Sequence, residues 1–157
     1  METLAGWLGA LPGSGVLRAS PTAYLLINAA HILGIALLVG AILPLDLSLA
    51  GVLRGPALDA LAPFASRVAA GGLALAAATG LYLLSVRPSD YLANPAFLTK
   101  LGLLALALIN IAMQHMGPGW RRVLAGERPS PAVRAVALTS AGLWVSVLVA
   151  GRWIGFV

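Results

Sequence analysis

Cysteine is absent from this 157-residue chain. Disulfides, thiolate metal centres and iron–sulfur clusters are thereby excluded. Charge is scarce: 10% of residues are charged, against about 25% in a typical soluble domain. Acidic groups are rarest, with 5 Asp and Glu against 10 Lys and Arg, and there are only 2 His. No Ser–His–acid set emerges from so few polar groups, and no paired carboxylates fall within an apolar run. "GSG" at 13–15 has no strand before it and no Walker lysine, so it is not a phosphate loop. The net charge of +5 does not indicate a nucleic-acid binder, because the basic residues are scattered between apolar runs instead of clustered on one face.

What is present is hydrophobic sequence, 60% of the chain. A short soluble chain cannot hide that much apolar surface in one core, so the surplus must face lipid. A spanning helix needs roughly 20 apolar residues. Four runs qualify, at 21–45, 62–84, 95–116 and 132–155. Ser20-Pro21 opens the first and "LPLD" at 43–46 closes it. "VRPSDYLANP" at 86–95 makes a short turn between the second and third runs, and "GPGWRRVLAGERPSP" at 117–131 separates the third and fourth. Pro21, Pro95 and Pro131 suit the first turn of a helix, where a missing N–H costs nothing. Short connections imply antiparallel neighbours. The expected fold is an all-α integral-membrane protein, an up-down bundle of four transmembrane helices over residues 20–157.

Residues 1–19 do not read as a signal peptide, since Glu2 stands where a basic start is needed. Leu4, Trp7, Leu8 and Leu11 share a helical face, which predicts a short helix lying in the membrane interface and ended by Pro12 and Gly13. Arg18, Arg87, Lys100 and Arg152 fall on the side of both termini. Arg54, Arg67, Arg121, Arg122, Arg128 and Arg134 fall on the other. The positive-inside rule then places both termini outside the cytoplasm, on the periplasmic side of a bacterial inner membrane.

Ionisable residues inside a bilayer are costly and are read first as functional. His31 lies ten residues past Pro21, roughly 15 Å deep at the helical rise. Asn28 and Gly34 share its face, and Gly34 leaves space for something flat or for a neighbouring backbone. The alternative is a buried histidine bonded across helices to Asn28, Thr79 or Ser146. Lys100 either snorkels to the outer surface or faces inward, where it suits an anionic group. Asn110 and Gln114 continue a polar line down the third span. His115 lies near the opposite membrane edge, too far from His31 to share one iron with it. Arg67 and Asp46 are placed to pair at the membrane edge. Arg152 and Trp153 read as interface anchors, and Gly71, Gly72, Gly80, Gly102 and Gly142 as sites of close helix contact.

"HILGIALLVGAILPLDL" and "NPAFLTKLGLLALALIN" resemble a superfamily of small helical bundles. It includes the copper-resistance D (CopD) proteins and the HemJ-type protoporphyrinogen IX oxidases. The likeness covers roughly residues 20–155. The HemJ resemblance implies haem b ligated by His31, with Lys100 as the matching third-span lysine. The CopD resemblance implies copper handling. The leading expectation is a membrane haem protein with a redox or tetrapyrrole-related role, His31 as axial ligand, Lys100 near a propionate, and Asn28 and Gly34 beside the ligand. The second is a non-enzymatic membrane subunit serving a periplasmic partner in metal or solute handling. Small-residue stripes on apolar helices also suit a homo-oligomer.

Overall fold

A computed structural model describes the backbone of residues 2–54 and 57–156 and the side chains of 6–54 and 57–156. Among the described residues eight α-helices follow in order: α1 (Glu2–Gly9), α2 (Ser14–Ala19), α3 (Pro21–Leu49), α4 (Leu58–Val86), α5 (Pro88–Ala93), α6 (Pro95–Met116), α7 (Pro118–Leu124) and α8 (Pro131–Trp153). A final 3-10 turn covers Ile154–Phe156. Five of these helices begin with proline at the first position, where the ring supplies helical φ and its missing N–H is no loss. The cap before three of them is a side-chain oxygen. Ser20 Oγ accepts from the Ala23 N–H at 3.3 Å, Asn94 Oδ1 from Phe97 at 3.1 Å and Ser130 Oγ from Val133 at 3.4 Å.

α3, α4, α6 and α8 are each long and apolar enough to cross a membrane. They form two antiparallel pairs, α3 along α4 and α6 along α8, joined where α3 packs on α8. The fourth side, between α4 and α6, has no extended contact. Leu25, Leu26, Ile32, Leu33, Leu106, Ile109, Leu138 and Val149 stay exposed outside the bundle, as lipid contact demands.

α3 and α4 have 29 residues each, roughly 43 Å at the helical rise and longer than a hydrocarbon core of about 30 Å. The expected end of the first span at "LPLD" is therefore incorrect: the helix runs through Pro44 to Leu49. Proline removes one backbone hydrogen bond there, but packing holds the last turns, with Leu45 and Leu49 each 1% exposed. The two connections expected as plain loops are also partly helical, as α5 and α7. In the N-terminal segment the chain forms two short helices where one was expected. Gly13, at φ 88°, reverses the chain between them. Leu8 is buried and Trp7 exposed; the Leu4 side chain lies outside the described residues.

The packed core lies towards one end. It comprises Leu38, Ile42, Leu45 and Leu49 of α3, Ala62, Ala65 and Ala69 of α4, Ala107 of α6, and Val133, Ala137 and Trp144 of α8. Trp120 and Val123 of α7 close it from below. The opposite end, bearing α1, α2 and α5, is packed less completely, and this is where His31 lies.

Candidate functional site

α3 and α4 approach so closely that neither Gly34 nor Gly72 has room for a side chain. A Cβ on Gly34 would lie 2.7 Å from the Ala76 nitrogen, and one on Gly72 would lie 2.5 Å from the Leu38 nitrogen. Of the two uses expected for Gly34, the neighbouring backbone fills the space. Gly34 is buried in the helix crossing and does not line the cavity beside His31. The glycine against the His31 ring is Gly80 instead, where a Cβ would lie 3.0 Å from Cε1. Gly71, Gly102 and Gly142 have nothing within 4 Å of such a Cβ, so they do not mediate helix contacts.

His31 is half-buried, and its Nδ1 lies 2.9 Å from the Ala76 carbonyl oxygen and 3.1 Å from Thr79 Oγ1. Because a carbonyl only accepts, Nδ1 carries the proton and donates it. The Thr79 hydroxyl in turn donates to the Leu75 carbonyl at 2.6 Å, leaving a lone pair towards the imidazole. Among the three cross-helix partners expected for His31, Thr79 is used. Ser146 bonds within its own helix to Gly142. The consequence is chemical: Nε2 is left with its lone pair and no protein partner among the described residues. An N–H tied to a carbonyl on one ring nitrogen fixes tautomer and ring orientation for ligation by the other.

Beside the imidazole is an open cavity of about 290 Å³. Ligand pockets begin at roughly 300 Å³. Asn28, His31 and Lys100 all line it, so the structure brings together three of the four residues expected at a site. Lys100 reaches it from α6 past Gly151, whose missing side chain leaves Lys100 Cε 3.6 Å from where a Cβ would stand. Among the described residues Lys100 makes no ion pair or hydrogen bond. Tyr24, Tyr91, Phe97 and Arg152 complete the polar and aromatic wall. These four were not legible as site residues. Arg152, expected as an anchor, lines the cavity while its guanidinium also lies 4.6 Å above the Phe156 ring. Burial raises the pKa of the Tyr91 phenol above its ordinary range, and neighbouring Tyr24 reinforces the effect.

The donor set could coordinate one metal atom and pair with acidic groups on a ligand. It offers one imidazole nitrogen with a free lone pair, aromatic rings, and two cations from α6 and α8. Copper finds less: among the described residues no three His, Cys, Asp or Glu side chains come together as a metal-binding group.

A second polar cluster lies at the α7 end, around a cavity of about 10 Å³ lined by Asp46, Asn110, Gln114, His115, Trp120 and Ser140. The His115 ring packs at a tilt against Trp120, with centroids 4.4 Å apart, and lines no cavity with His31. The expected Asp46–Arg67 pair does not form. Asp46 is 4% exposed and has the Ser140 side chain as its hydrogen-bonding neighbour, whereas Arg67 is exposed and lines no cavity with it. The helix continuing past Pro44 places Asp46 inside the bundle, beside Ser140 of α8.

No curated protein and no solved structure matches the chain. The likeness to the CopD and HemJ-type proteins therefore rests on the short motifs around His31 and Lys100 alone. Residues 18–157 match a family of unknown function, DUF6644, and this four-span membrane protein belongs to that family.

Proposed function

We propose that the chain is a membrane-embedded haem b protein with a redox or tetrapyrrole-related role. The observation that carries the reading is the state of His31. Its Nδ1–H is committed to the Ala76 carbonyl, and its Nε2 is unpartnered on the wall of a cavity that also holds two cations. In this reading His31 Nε2 would hold the iron, and Lys100 and Arg152 would pair with the acidic groups of the cofactor. Bound iron would supply one-electron chemistry. The protein's part is to fix the imidazole through Ala76 and Thr79, and to give the macrocycle aromatic and aliphatic walls from Tyr24, Tyr91, Phe97, Leu83 and Leu84. Asn28, at the same wall, offers an amide to the edge of the ligand.

The membrane is taken to be a bacterial inner membrane, with α1, α2, α5 and the C-terminal turn on the periplasmic side. The larger arginine group, at the α7 end, supports this orientation.

Haemin titrated into purified protein in detergent tests the cofactor. A sharp Soret band saturating at one haem per chain is expected, and His31→Ala should abolish it. His115→Ala, at the other cavity, should leave it unchanged. A featureless spectrum, or the same band in His31→Ala, would overturn the reading.

A further inference from the structure

The cluster at the α7 end is separate from the cavity around His31 and has its own chemistry. Asp46 is 4% exposed, and its Oδ2 has no hydrogen-bond partner. The Gln114 amide nitrogen, on the wall of the same small cavity, is also buried and unpartnered. The cavity, at about 10 Å³, is the size that holds a single water, for which roughly 10–15 Å³ is needed together with two to four polar partners. Asp46, Gln114 and Ser140 supply those partners. Water both donates and accepts, so it satisfies the Gln114 amide in either orientation.

The surroundings of Asp46 decide its charge. Among the described residues, His115 is the one titratable side chain that lines the cavity with it. The arginines of this end are Arg54 after α3, Arg67 on α4, Arg121 and Arg122 on α7, Arg128 after α7, and Arg134 on α8. All are exposed, and none lines the cavity. From α6 and α8 the facing groups are the neutral Asn110, Gln114 and Ser140. An isolated carboxylate here would be a buried charge without a counter-ion, which a membrane bundle tolerates poorly. A carboxylic acid meets every requirement at once: one oxygen accepts from the Ser140 hydroxyl, and the other carries an O–H that donates to the water.

We propose that Asp46 is a proton-binding residue, linked through one bridging water to Gln114 and open to the aqueous phase at the α7 end. His115 marks the opening, since it is exposed at the last turn of α6 and lines the cavity. A proton arriving from that phase protonates the water, which passes one of its own protons to Oδ2 and is regenerated. Loss of the proton runs the same steps backwards. The site is independent of whatever occupies the cavity around His31.

Infrared spectroscopy of the full-length protein in lipid nanodiscs tests this directly. Spectra are compared between wild type and Asp46→Asn from about pH 5 to pH 9, a range in which water-exposed carboxyls are ionised. Asp59, Asp90 and Glu127 are exposed and are retained in Asp46→Asn, so whatever they contribute cancels in the comparison. Wild type should show one such C=O band, absent from Asp46→Asn, that shifts on transfer to deuterated buffer and declines as the pH rises. Ser140→Ala keeps Asp46 and removes its hydrogen-bond neighbour, so the band should persist at an altered frequency. That variant serves if Asp46→Asn does not fold. Identical wild-type and Asp46→Asn spectra, a band unmoved by deuterium, or one unmoved by Ser140→Ala would each overturn the proposal.

Discussion

Lys100 occupies an uncommon position for a lysine in an apolar helix. It lies one turn and a half past Pro95, close enough to the membrane edge to snorkel. It instead lines the His31 cavity, half-buried and without a partner among the described residues. Removing one partner of a buried ion pair costs roughly 3–5 kcal/mol. If the propionate reading holds, Lys100→Gln lowers the haem-to-protein ratio well below that of wild type. Lys100→Arg, which keeps the charge but not the shape, retains part of it. Quantifying haem per chain in the two purified variants checks this, and equal wild-type ratios in both would leave Lys100 with no role towards the ligand. Arg152, the second cation of this reading, is more exposed and lies over the Phe156 ring, so Arg152→Gln should lower the ratio less than Lys100→Gln does.

Between elements, the α3–α4 crossing is the tightest joint in the molecule, and two glycines set it. At Gly72 a methyl group would meet the Leu38 nitrogen at 2.5 Å and the Gly34 carbonyl oxygen at 2.7 Å. Both are backbone atoms, so the helices themselves must part. Gly72→Ala should therefore destabilise the protein by about 1–3 kcal/mol, the usual cost of overpacking. Its neighbour Gly71 has open space on the lipid side, and Gly71→Ala should be neutral or stabilising by about 0.5–1 kcal/mol through helix propensity. Reversible unfolding in mixed micelles, followed by circular dichroism, distinguishes the two. Equal effects would mean that the crossing is looser than described. The same crossing carries His31, since Ala76 and Thr79 lie one and two turns beyond Gly72 on α4. Parting the helices should thus also weaken the hydrogen bond that orients the imidazole.

For the whole molecule, packing density and cavity space are divided between the two ends. Tryptophan, leucine and small residues fill the α7 end, while the other end retains the cavity under α5 and the C-terminal turn. Arg18 fastens α1 and α2 over that end, donating to the Gly9 carbonyl at 2.6 Å and the Ser85 carbonyl at 2.9 Å. Which end faces the cytoplasm is accessible to labelling. Ser89 of α5 and Glu127 after α7 are exposed, and a cysteine at either replaces no cap or tether. Ser14 is unsuitable, being 4% exposed and bonded to Gly9. With a membrane-impermeant thiol reagent on intact cells, Ser89→Cys should be labelled and Glu127→Cys protected. The reverse pattern would invert the orientation proposed from the arginines.

Hydrophobic run length and proline placement sufficed for the number of spans, their order and most of their starts, because lipid contact acts on each helix separately. The third span was legible to the residue, bounded by Asn94-Pro95 and by Gly117-Pro118. His31, Asn28 and Lys100 stood out for a similarly local reason, as polar residues in apolar runs. What the sequence did not contain was direction between helices. The end of α3 was placed too early, because tertiary burial of Leu45 and Leu49 carries the helix past Pro44. Gly34 was read as space for something flat or for a neighbouring backbone, and only the structure shows that the α4 backbone fills it while Gly80 lies against the imidazole. Asp46 was given Arg67 as a charged partner, but its neighbour is Ser140 of α8. Each of these depends on which face of one helix meets which face of another. That pairing is fixed by long-range packing, which a pattern along one chain does not encode.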